Sequence, residues 1–113
     1  MSTTYDFGSG PVPAHRHTNP DGSLGGWVAD TATVSPTAWV SDNAWVYDNA
    51  KVSGYAKVSG YAEVSGYAEV FGNSVVSGNA MVSGNAQVFG DAMVIGNAVV
   101  SDGAEVSGDA VLI

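Results

Sequence analysis

Residues 51–68 read KVSGYAKVSGYAEVSGYA, three passes through one six-residue unit. Outward from this stretch the turn residues drift, but the register does not. Valine recurs at every sixth position from Val28 to Val106, fourteen times, and Leu112 takes the next place. Two positions before nearly every valine stands an alanine, from Ala32 to Ala110, with Ser74 the one substitute. Self-similarity at a fixed period is the mark of a solenoid, in which each unit buries its apolar face only against its stacked neighbours. A helix is excluded, because a period of six does not match 3.6 and a glycine in most repeats would cost roughly 1 kcal/mol each against alanine. A strand suits Ala-x-Val, whose first and third side chains point one way and whose middle one points the other. The next three residues must turn, and Gly-Asn tolerates positive φ.

Three such sides close a triangle, so one coil takes 18 residues and residue i stacks on i+18; the 87 residues from Trp27 give just under five coils. The expected fold is all-β, a single-stranded three-sided parallel β-helix over residues 27–113. Residues 1–26 precede it as an irregular N-terminal segment, with Gly8-Ser9-Gly10-Pro11, Pro13, Asn19-Pro20-Asp21-Gly22 and Gly25-Gly26 read as successive turns. The pairs Val28-Ala32, Val34-Ala38 and onward to Val106-Ala110, broken only at Ser74, resemble the hexapeptide-repeat proteins of the left-handed parallel β-helix type. That resemblance spans about three quarters of the chain and implies left-handed coiling. The near-identity of the repeats and the leader Ala14-His15-Arg16-His17 are also similar to small phage- and prophage-encoded repeat proteins.

A formal charge of −8, with Arg16, Lys51 and Lys57 as the only basic residues, disfavours nucleic acid as a partner. No cysteine is present, which rules out disulfides, thiol catalysis and zinc-finger chemistry. Residues 1–10 lack the basic and apolar regions of a signal peptide, and no run of 18 apolar residues offers a membrane span. These absences leave the location open and no membrane partner is expected; with the phage resemblance they imply a bacterial host cytoplasm or a virion.

With the interior assigned, function falls to the outward residues, which sort into three columns. The first side carries Thr33, Lys51, Glu69, Gln87 and Glu105; the second Trp39, Lys57, Val75, Met93 and Val111; the third Trp45, Glu63, Met81 and Val99. Only the first is polar throughout. Phe71, Val75, Met81, Phe89, Met93, Ile95, Val99 and Val111 form an expected apolar patch on the other two sides and their corners. Single exposed apolar residues are ordinary, but a gathered patch marks an interface. The resemblance implies a side-by-side trimer, and closed symmetry is the default for a homo-oligomer. A protein partner on the same faces is the alternative. Lys51 is expected beside Glu69 as a weak surface pair.

The first coils are rich in aromatics: Trp27, Trp39, Trp45 and Tyr47, followed by Tyr55, Tyr61 and Tyr67 near three successive corners. These rings either receive the folded-back leader, the favoured reading, or offer a platform to a sugar. His15 and His17 are the only histidines, and in an extended segment they share a face. Two imidazoles are too few for a metal site from one chain, whereas three chains on an axis supply six. Iron, nickel or zinc are the metals such a site would take. The pair is similar to the His-x-His sites of trimeric phage spikes, although here it precedes the repeat. The favoured alternative is that both simply pack on the surface or the cap.

Enzymes on the resembling scaffold are chiefly acyltransferases and one class of carbonic anhydrase. The first typically needs a histidine near a protruding loop and a following helix; the second needs three histidines within the coils. This sequence has no histidine after His17 and no break in the repeat, so no catalytic residue is assigned. The expected protein is a non-enzymatic structural or assembly element, with a phage accessory binding protein (an inhibitor or decoy) as the alternative.

Overall fold

In the computed structural model, which describes residues 3–113, the repeat folds as a three-sided parallel β-solenoid of about five coils with no helix. Two-residue strands from Thr33–Val34 to Val111–Leu112 alternate with tight turns, and each pairs in parallel with the strand one coil away. The pairs Lys51 with Glu69, Lys57 with Val75, and Glu63 with Met81 show the offset of eighteen on all three sides. Every interior valine from Val40 to Val94 is essentially fully buried, as are the alanines between them. The core is therefore a column of methyl groups whose stacking removes apolar surface from water at roughly 25 cal/mol per Å².

From Asp42 onward the backbone closes each corner through a left-handed residue. Gly54, Gly60, Gly66 and their successors have φ near +65°, and Asp42, Asp48 and Asp102 hold the same position at φ of 58°, 59° and 56°. Two of these aspartates add a bond that glycine cannot. Asp42 accepts from the Gly60 amide at 3.2 Å and Asp48 from the Gly66 amide at 3.2 Å, each one coil below. Ser74 fits the alanine column because its Oγ donates to the Phe71 carbonyl at 2.9 Å, so the buried hydroxyl is satisfied.

The leader departs from the irregular segment expected for residues 1–26. It forms β1 (Thr4–Asp6) and β2 (Pro11–Thr18), an antiparallel pair that continues through β3 (Leu24–Ala29) into the third side of the solenoid. Prolines that read as turn punctuation are accommodated because a proline carbonyl still accepts: Asp30 donates its amide to Pro13 at 2.9 Å. The third side thus has seven strands against five on each of the others.

The same segment closes the N-terminal end. On the second side no strand lies above Trp39–Val40, yet its backbone groups are met by side chains. Asn19 Oδ1 accepts from the Val40 amide at 3.0 Å, and His17 Nε2 donates to the Ala38 carbonyl at 2.8 Å. Both residues are buried, and together they supply the hydrogen bonds a further strand would have made. Gly25 and Gly26 cross directly over the Val40 and Ala44 carbonyls, where a Cβ would collide with backbone.

Candidate functional site

The structure gathers an aromatic cluster whose membership differs from the sequence expectation. Trp27, Trp45 and Tyr47 on the third side are covered by Tyr5 and Phe7 of the leader. Tyr5 stacks on Trp27 with centroids 4.6 Å apart, Phe7 stacks on Tyr47 at 5.0 Å, and Phe7 meets Trp45 edge-on at 5.5 Å. Trp39 stands outside this cluster, because the six-residue step places it on the second side. Tyr47 donates its hydroxyl to Glu63 at 3.0 Å. Burial, and then the Glu63 carboxylate, push its phenol above the ordinary tyrosine range. The rings at this site therefore fasten the leader to the prism. Tyr5 and Phe7 carried no repeat signal by which the sequence could have revealed them.

The two histidines sit in β2 but in different surroundings. Alternation turns Ala14 and Arg16 toward the aromatic face and His15 and His17 toward the other, with a register shift between Arg16 and Thr18. His17 is buried as part of the end closure, and its Nε2 is committed to Ala38. His15 is about half exposed and donates from Nδ1 to Asp30 at 2.8 Å, an arrangement that leaves Nε2 as its open nitrogen. The imidazoles thus do not present a matched pair of ligand atoms. Among the described residues no group of three or more His, Cys, Asp or Glu could hold a metal ion. Asp30, fifteen residues from His15 in sequence, could not have been paired with it by spacing alone.

The apolar patch divides into two parts. Met81, Met93, Val99 and Val111 are exposed, whereas Phe71, Val75, Phe89 and Ile95 are half-buried by contact along their own columns. Phe71 and Phe89 stack at 5.0 Å with their planes 4° apart. All eight lie on the second side, the third side or the corners beside them, as the columns require. The first side keeps Thr33, Lys51, Glu69, Gln87 and Glu105 outward. Lys51 and Glu69 are neighbours in register, but among the described residues the only ion pair within 4.0 Å is His15–Asp30. No helix of the structure is long and apolar enough to cross a membrane.

In comparison with protein families the chain matches the YdcK β-solenoid repeat over residues 76–88 and 86–102. The matched stretch is about a quarter of the chain and includes Met81, Phe89, Met93, Ile95 and Val99. No curated protein and no solved structure matches. The chain is a β-solenoid repeat protein, similar over these coils to the YdcK repeat.

Proposed function

We propose that this protein is a non-enzymatic structural or assembly element, a rigid β-solenoid prism that associates with copies of itself through the lower coils of its second and third sides. One observation carries the reading. The exposed methionines and valines of the lower coils are confined to two adjoining sides, while the first side stays polar through all five coils. Packing the second side of one copy on the third side of the next joins two different surfaces, a contact that closes into a ring when the rotation between copies closes. A trimer is the closed form that the hexapeptide-repeat resemblance favours. A role in a phage particle, or as a phage accessory protein, rests on the resemblance of the repeat and its leader to phage-encoded proteins.

Sedimentation equilibrium tests the assembly. The expected mass is three times the 11.4 kDa of one chain. Met93→Lys and Val99→Lys should each release monomer, while Gln87→Lys on the first side should leave the mass unchanged. A wild-type monomer at all concentrations would defeat the proposal and leave the two apolar sides to a different partner.

A further inference from the structure

Above the apolar coils, two clefts on successive sides of the prism are built from the same parts. On the third side Trp45 and Tyr61, sixteen residues apart, line a cleft of about 340 Å³ with Asn43 and Arg16. On the second side Trp39 and Tyr55, again sixteen apart, line one of about 400 Å³ with Asn73, Lys57 and Val75. Both volumes fall at the small end of the range of ligand sites, about 300–1,000 Å³. A shift of six residues carries Trp39 and Tyr55 onto Trp45 and Tyr61, so the period that builds the fold also duplicates the pair. One further shift, to Lys51 and Tyr67, loses the tryptophan.

Trp45 also packs edge-on against Tyr5 and Phe7 of the leader, but other groups in these clefts are uncommitted. Tyr55 and Tyr61 are 67% and 65% exposed, and neither has a ring partner among the described residues. The side-chain amides of Asn43 and Asn73 make no hydrogen bond among those residues. Arg16 gives Nε to the Gly25 carbonyl at 2.9 Å, which fixes the guanidinium and leaves its terminal N–H groups unused. Asp42 lines the same cleft as Arg16 without forming an ion pair with it. A cation and a carboxylate held apart in one cleft suit a neutral ligand that both donates and accepts, more than they suit an anion.

We infer that the Trp45–Tyr61 and Trp39–Tyr55 clefts are paired subsites for a neutral glycan. A pyranose ring has an apolar C–H face that fits an exposed aromatic ring, and hydroxyls at its rim that reach an amide on one side and a cationic donor on the other. Two subsites on adjoining sides let one glycan, or two branches, engage both, so avidity exceeds either site alone. The inference goes beyond assembly and fails separately from it: of the apolar patch only Val75 lines either cleft, so Tyr55→Ala and Tyr61→Ala should leave the sedimenting mass unchanged.

The test uses the full chain on an array of neutral glycans, followed by titration of tryptophan fluorescence with each glycan retained and with hexagalacturonate as a charged comparison. A neutral glycan should saturate the signal. Tyr61→Ala and Tyr55→Ala should each weaken it roughly three- to tenfold, the value of one aromatic contact. Tyr67→Ala, equally exposed but lacking a tryptophan partner, should not, and all three variants should keep the wild-type far-ultraviolet spectrum. No saturable neutral glycan, binding of hexagalacturonate alone, or an equal loss in Tyr67→Ala would each overturn the inference.

Discussion

Gly78→Ala separates the cost of the corner from that of every other feature of the repeat. Gly78 has φ of +69°, and a Cβ placed on it would stand 2.9 Å from the Gly96 nitrogen and 3.0 Å from the Gly96 oxygen. The left-handed conformation costs an alanine about 1–2 kcal/mol, and the tight backbone contact adds to this, so destabilisation of at least about 2 kcal/mol is expected. At ~2.1 cal/mol/K of unfolding entropy per residue, that lowers the melting temperature by about 8 °C. Gly78→Asp should lose markedly less. Asp42 already holds the equivalent corner at φ of 58° with its carboxylate on the Gly60 amide, and an aspartate at 78 would meet Gly96 in the same way. Gly103→Ala is the control, because its φ is not positive and nothing lies within 4 Å of the added carbon; it should stay within about 0.5 kcal/mol of wild type. Calorimetric melting of the three variants reads all of these values. If Gly78→Ala and Gly103→Ala melted together, or Gly78→Asp melted below Gly78→Ala, the corner geometry would be refuted.

Three other perturbations probe the core, the end closure and the leader. Val64→Asp puts an unpaired charge in a fully buried column and should cost more than about 4 kcal/mol, enough to prevent folding; soluble β-rich mutant protein by circular dichroism would contradict the register. Asn19→Ala strands the Val40 amide and should destabilise by about 1–3 kcal/mol in denaturant titration, whereas an unchanged midpoint would mean that the side-chain closure is idle. Tyr47 has a folded-state pKa raised above its unfolded value near 10, so its contribution is fully present below that pH and is lost as pH rises through the folded value. The wild-type advantage over Tyr47→Phe in thermal melting should therefore shrink above pH 10, and a growing advantage would reverse the assignment.

What the sequence made legible follows from what repeats. Valine and alanine at fixed spacing face a constraint on every coil, so the three columns, the offset of eighteen and the sorting of Met81, Met93 and Val99 onto two sides are all legible in the sequence. The leader meets its constraint once. Tyr5 reaches Trp27, His17 reaches Ala38, and Asn19 reaches Val40 through folding back, and no periodicity announces a single long-range contact. Pro11 and Pro13 pointed away from a strand because a missing amide is usually decisive; here their carbonyls and flanking residues carry the pairing. Trp39 lies near the other early aromatics in sequence, but its column sits one side away from theirs.

Methionine oxidation reads the covered sides most directly. Met81 and Met93 are 40% and 37% exposed on a single chain, and peroxide attacks an exposed thioether readily. Their oxidation rates, followed by peptide mass spectrometry against free methionine, should be strongly suppressed at concentrations where the assembly forms and should rise together on dilution. Rates close to that of free methionine and independent of protein concentration would contradict the claim that copies of this prism cover the lower coils of its second and third sides.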